Sequence, residues 1–108
     1  MGIKQESVVI AESGTISSAL NLNYRSPVTI EFPEMTGTSV AVHGKNNTGT
    51  FEALYDQDGV AIAFATPSNK LFTLNPTKIF GQSEIKFVSN DTEVAARTIY
   101  VRTDSYVD

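Results

Sequence analysis

The feature that most constrains this chain is a two-residue hydrophobic period that runs through most of its length. Val28, Ile30 and Phe32 alternate with Thr29 and Glu31, while Val40 and Val42 alternate with Ser39, Ala41 and His43. Val60, Ile62 and Phe64 alternate with Ala61 and Ala63, and Ile85 and Phe87 with Glu84 and Lys86. Ile99 and Val101 alternate with Thr98, Tyr100 and Arg102. Successive side chains of a strand point to opposite faces, so each run offers one face to a core and one to water or a partner. A slip of one residue would turn the apolar set outward, so the register is firmly specified.

Turn chemistry separates the runs. Ser13-Gly14, Arg25-Ser26-Pro27, Pro33 to Gly37, Asn46-Asn47-Thr48-Gly49, Gln57-Asp58-Gly59, Pro67-Ser68-Asn69 and Ser89-Asn90-Asp91 all read as loops. The strands then fall at about 7–11, 18–23, 27–32, 38–44, 50–55, 60–65, 70–74, 83–88 and 95–102. Short strands at such spacing predict an all-β protein, a single antiparallel β-sandwich of jelly-roll-like form with about eight or nine strands. Pro76 is suited to open a helical turn and Gly81 to close one, so one turn is expected near 76–80. No linker or repeat interrupts residues 1–108, which read as one domain with uncommitted arms at 1–6 and 103–108.

Composition narrows the function classes. The absence of cysteine excludes disulfides and cysteine-ligated zinc and suits a reducing compartment. A net charge of -4 without a basic patch argues against nucleic acid. No apolar run approaches the roughly 20 residues of a membrane helix, so no membrane partner is expected. The start, Met1 to Glu6, lacks the apolar stretch of a signal peptide. Asn46-Asn47-Thr48 and Asn90-Asp91-Thr92 match the glycosylation pattern but read as turn residues.

Chemistry-bearing constellations are sparse. His43 is the single histidine and sits on the polar-facing side of its strand, with no nucleophile motif beside it. One imidazole cannot hold a metal without partners that the sequence does not pattern. Asp56-Gln57-Asp58-Gly59 is similar to the opening of a calcium loop, yet the closing Glu is missing and a strand follows at once. It reads as a hairpin turn in which Asp58 and Gly59 take positive φ angles. Glu31 and Glu34 flank Phe32-Pro33 without the aromatic platforms of a hydrolytic cleft. The expectation is no enzyme, no catalytic residue, no metal and no cofactor.

An ordered series of motifs carries a resemblance. Ser17-Ser18-Ala19-Leu20-Asn21-Leu22 is followed by Ile30-Glu31-Phe32-Pro33, then by Phe51-Glu52-Ala53-Leu54-Tyr55-Asp56-Gln57-Asp58-Gly59. Leu74-Asn75-Pro76-Thr77-Lys78-Ile79-Phe80-Gly81, Ile85-Lys86-Phe87-Val88-Ser89 and Ala95-Ala96-Arg97-Thr98-Ile99 complete the set. Together, over most of residues 15–102, they resemble a family of small β-sandwich proteins encoded among the structural genes of tailed bacteriophages. One departure is Pro33-Glu34-Met35, where relatives often have Met-Pro.

The resemblance implies a non-catalytic virion component assembled in the host cytoplasm. Its leading form is a head decoration (cement) protein, forming a homo-oligomer and binding the major capsid protein or other virion proteins. A neck, tail or baseplate component is the alternative, and a carbohydrate- or receptor-binding module is another. Interface residues are expected at Ile3 and Lys4 in the N-terminal arm, at Tyr106 as an amphipathic anchor near the other end, and at the aromatic Tyr24.

Overall fold

In the computed structural model, which describes residues 2–105, the chain forms nine strands and, among those residues, no helix. They are β1 (Ile3–Ile10), β2 (Leu20–Asn21), β3 (Arg25–Glu31), β4 (Ser39–Lys45), β5 (Phe51–Ala53), β6 (Ala63–Ala65), β7 (Leu71–Thr73), β8 (Glu84–Ser89) and β9 (Arg97–Ser105). All strand pairs are antiparallel. One sheet runs β1-β9-β3-β7 and the other β2-β8-β4-β5, with β6 also on β4. β5 and β6 share one lane: β5 pairs with His43–Lys45 and β6 with Ser39–Ala41. Counting them as a single interrupted strand leaves eight lanes in two Greek-key layers, which is the jelly roll. The all-β sandwich expected from the alternation is the observed architecture.

The core lies between the sheets and is built from the inward half of each alternating run. Ile10, Ile30, Val40, Val42, Ile85, Phe87, Ile99 and Val101 are all fully buried. Phe32 sits at the centre of an aromatic cluster, with ring centroids 5.5 Å from Phe64, 5.7 Å from Phe72 and 6.1 Å from Phe87. Two of these contacts are edge-on, the arrangement that ring quadrupoles favour.

Three positions depart from simple alternation. Val28 is half-buried because the β3–β9 register shifts between Pro27 and Thr29, leaving one extra residue as a β-bulge. Val60 is 60% exposed because it closes a hairpin turn before its strand begins. Phe51 faces outward beneath Lys86, whose ammonium lies 4.4 Å from the ring centroid.

The turns explain the spacing. Asn46-Asn47-Thr48-Gly49-Thr50 and Asp56-Gln57-Asp58-Gly59-Val60 close by the same device. Each glycine N–H donates to the carbonyl of the first residue, and that residue's side-chain oxygen accepts from backbone N–H groups two and four residues on. Gly49 has φ +87° and Gly59 φ +79°, the left-handed position that glycine takes without a Cβ penalty. Asp58 does not share the positive φ expected of it; only Gly59 does, because the turn uses one left-handed residue rather than two.

Residues 75–81 form successive turns rather than a helix. Asn75 O accepts from Lys78 N, Asn75 Oδ1 from Thr77 N, and Gly81 ends the segment at φ +84°. Of the segments expected as uncommitted arms, residues 3–6 pair with Val101–Asp104 of β9, and Ser105 pairs with Arg25 of β3. Arg25 secures that end, donating to the carbonyls of Gly2 and Thr103 and to Thr103 Oγ1.

Candidate interaction surfaces

Three surface regions and one buried cluster stand out. The first is the outer face of the β2-β8-β4-β5 sheet. Here one row of the outward half of the alternation is apolar: Ile16 is bridged to Val88, Val88 pairs with Ala41, and Ala41 pairs with Ala63. The four form one continuous cross-strand row. Ile16 is 54% exposed although it has an aliphatic side chain. His43 lies in the next row between Lys86 and Ala53. It is half-buried, and burial pulls its pKa below the ordinary imidazole value, favouring the neutral ring. Beyond it, Lys45 Nζ and Glu84 Oε2 form an ion pair at 2.8 Å. Within the apolar row, Ala41 and Ala63 are paired small residues, flanked by the larger Val88 and Ile16.

The second region is the outer face of the other sheet, where Ser7, Tyr100, Glu31 and Leu71 form one row and Gln5, Arg102, Thr29 and Thr73 the next. It mixes charge and apolar surface, with Leu71 60% exposed. Glu31 belongs to this face, whereas Glu34 lies in the following loop.

The third region is an open cleft lined by Asn21, Asn23, Tyr24, Gly81, Gln82 and Ser83. Its lining side chains are neutral amides, a hydroxyl and one aromatic. Asn23 (φ 48°) and Tyr24 (φ 60°) are consecutive left-handed residues at the crossing from one sheet to the other. That conformation is uncommon for asparagine and costly for a bulky residue such as tyrosine. Tyr24 is left 74% exposed there.

The structure gathers three of the sequence-derived interface residues at one end of the β1-β9-β3-β7 sheet. Ile3 pairs with Asp104 and Lys4 with Thr103, while Tyr24 precedes Arg25, which pairs with Ser105. Ile3 is 61% exposed. Tyr106 lies outside the described residues.

The buried cluster centres on Glu93, whose side chain is wholly enclosed. Its Oε1 accepts from Thr36 N at 2.9 Å and Arg97 Nε at 2.8 Å, and its Oε2 from Gly37 N at 3.0 Å and Ser89 Oγ at 2.8 Å. Glu93 also bonds through its backbone to Ser13 and Gly14. One carboxylate thus ties three loops at one end of the sandwich. Burial pushes its pKa up, but the Thr36 and Gly37 N–H groups, Arg97 and Ser89 together outweigh it and hold the carboxyl below its ordinary value. With all four acceptor positions filled from within the fold, Glu93 is a clasp rather than a reactive group. Sequence reading passed over it, because a glutamate in a turn-rich segment ordinarily reads as solvated.

Asp56 is likewise committed to its turn. The Val60 N–H lowers its pKa most; burial opposes this, and the Asp58 N–H and the charge of Lys78 add to the lowering. Asn46 Oδ1 accepts three turn bonds, and Asn90 Oδ1 accepts from Thr38 N and Ser39 N. Both potential glycosylation asparagines therefore serve loop geometry. Among the described residues no group of three or more His, Cys, Asp or Glu is placed to hold a metal ion.

Comparison with solved structures places this architecture. The SPBc2 prophage-derived protein YomS superposes with a TM-score of 0.60 at 13% identity, covering 95% of this chain and 95% of that one. The likeness is one of fold, end to end. The Yersinia pseudotuberculosis-derived mitogen aligns over 99% of this chain and 88% of its own, at 11% identity and a TM-score of only 0.42, too low to carry an argument. No protein-family model and no curated protein matches the chain in sequence.

Proposed function

We propose that this chain is a bacteriophage virion structural protein and that it acts as a head decoration protein, binding the major capsid protein through an outer sheet face. The observation that carries the reading is a jelly roll shared along its whole length with a prophage-derived protein. The ordered motifs over residues 15–102 point to the same setting. The apolar row Ile16-Val88-Ala41-Ala63 supplies an apolar stripe suited to a protein partner. The mechanism is linkage: a protein that binds the assembled shell better than disrupted states stabilises the shell by that difference in affinity. Catalysis has no part in it.

Quantitative mass spectrometry of purified virions against the major capsid protein tests the reading. Hundreds of copies per particle, with shells that fail under heat when the protein is missing, is the expected result. A few copies to a few tens would move the protein to the neck, tail or baseplate, and none would end the virion assignment. A second reading, a carbohydrate- or receptor-binding module, is favoured by the neutral cleft beside Tyr24. Saturable glycan binding lost in Tyr24→Ala would support that reading.

A further inference from the structure

The open edge of the β1-β9-β3-β7 sheet is the most informative unpartnered surface. β1 bonds to β9 along one side only. On its other side the last residues are covered: Val9 N donates to Ser18 Oγ, Ser18 N donates to Val9 O, and Ile10 is bridged to Ser17. Among the described residues nothing covers residues 2–8 in this way. Backbone groups alternate along a strand. Because Val9 directs its N–H and C=O away from β9, Ser7, Gln5 and Ile3 do the same. The edge therefore presents three residues with paired donors and acceptors, centred on Gln5.

We propose that β1 is a self-pairing edge through which two copies of this chain join, antiparallel, about a twofold axis at Gln5. In that arrangement Ile3 faces Ser7 of the second copy, Gln5 faces Gln5, and Ser7 faces Ile3. Each of these pairs exchanges two hydrogen bonds, about six in all. Lys4 then lies opposite Glu6 of the second copy, twice over. These are non-hydrogen-bonded pairs, whose Cα atoms approach to about 4.5 Å, so the opposite charges meet at the closest positions of the ladder.

The charge pattern selects this register. Outward-bonding residues must face outward-bonding residues, so the neighbouring registers differ by two. Gln5 opposite Ile3 would place Lys4 against Lys4. Gln5 opposite Ser7 would place Glu6 against Glu6 and drive Ile3 onto Val9, whose edge Ser18 already occupies. Like charges directly opposed are destabilising in a sheet. An isolated lysine ordinarily blunts an edge against pairing. Here Lys4 and Glu6 lie on the same side of one strand, 3.9 Å apart, and are self-complementary about Gln5. The twofold closes, so pairing gives a dimer with a continuous sheet rather than a fibre. This gives form to the homo-oligomer that the sequence resemblance implies and rests on the proposed function only for its biological setting.

Sedimentation velocity of the purified chain over a concentration series tests the pairing without virions, so its outcome is independent of copy number in the particle. The wild type should be a concentration-dependent dimer. Lys4→Glu alone and Glu6→Lys alone should each weaken association at least about tenfold, since each sets like charges opposite. The double reversal, Lys4→Glu with Glu6→Lys, should restore the dimer. Gln5→Pro removes an outward N–H and leaves the β1–β9 bonds in place, so it should give a folded monomer. A wild type that stays monomeric to about millimolar concentration, typical of weak association, would overturn the proposal. So would a dimer that survives Gln5→Pro, or a double reversal that stays folded and monomeric.

Discussion

Replacing Glu93 by glutamine tests the buried clasp most directly. The substitution keeps the shape of the side chain but removes its charge and converts one acceptor oxygen into a donor. Four donors converge on this carboxylate, two on each oxygen. A glutamine oxygen can serve one pair, while its NH₂ group must face the other, a donor-to-donor clash against every N–H there; only the Ser89 hydroxyl could turn to accept. If the amide oxygen serves Thr36 and Arg97, then Gly37 N and Ser89 Oγ lose their acceptor; the opposite choice takes the acceptor from Arg97 Nε, on a side chain only 11% exposed, and leaves Arg97 only its Nη2 bond to Thr36 Oγ1. Removing one partner of a buried ion pair costs about 3–5 kcal/mol, because the other charge is left uncompensated. Against a total stability of about 5–15 kcal/mol for a domain of this size, that is a large share.

The same substitution carries a pH signature. Glu93 has a depressed pKa in the fold, so its contribution is fully present above the unfolded value of about 4.3. It is lost as pH falls through the lower, folded value. Urea unfolding near neutral pH should show a lower midpoint for Glu93→Gln with an unchanged slope. The gap between wild type and variant should narrow on acidification below about pH 4, since the wild type then loses what the variant never had. A difference below about 1 kcal/mol at neutral pH, or one that stays constant into acid, would refute this account of the clasp.

Two further changes probe the same junction and the opposite end of the sheet. Gly37→Ala should destabilise the same loop junction by more than about 1 kcal/mol, because a Cβ there would stand 2.1 Å from Ser89 Oγ, 2.9 Å from Asn90 Oδ1 and 3.3 Å from Glu93 Oε2; thermal unfolding reads the loss. Ser26→Ala should be neutral or stabilising by about 1 kcal/mol, since the Ser26 hydroxyl is buried without a hydrogen-bond partner; a clear loss of stability in urea would show the hydroxyl to be satisfied after all.

Much of this molecule is local in origin and so was legible in the sequence. The two-residue period marks inward and outward faces within each strand, and Ile30, Val42, Phe87 and Val101 are buried as their alternation requires. Asn46 to Gly49 and Asp56 to Gly59 close hairpins through bonds spanning only a few residues, which is why turn chemistry located them. The exposure of Ile3 and Tyr24 also follows from their placement at strand ends.

What the tertiary structure decided depends on contacts between segments far apart in the chain. The lane beside β4 is divided between β5 and β6 because both hydrogen-bond the same edge, which no period along a single segment reveals. The apolar row Ile16-Val88-Ala41-Ala63 exists only once four distant segments are set in register. Glu93 reads as a solvated turn residue until Thr36, Gly37, Ser89 and Arg97 close around it. Alternation says which side of a strand is apolar, but a buried carboxylate or an open edge is defined by what lies across from it, and that is settled when the sheets assemble.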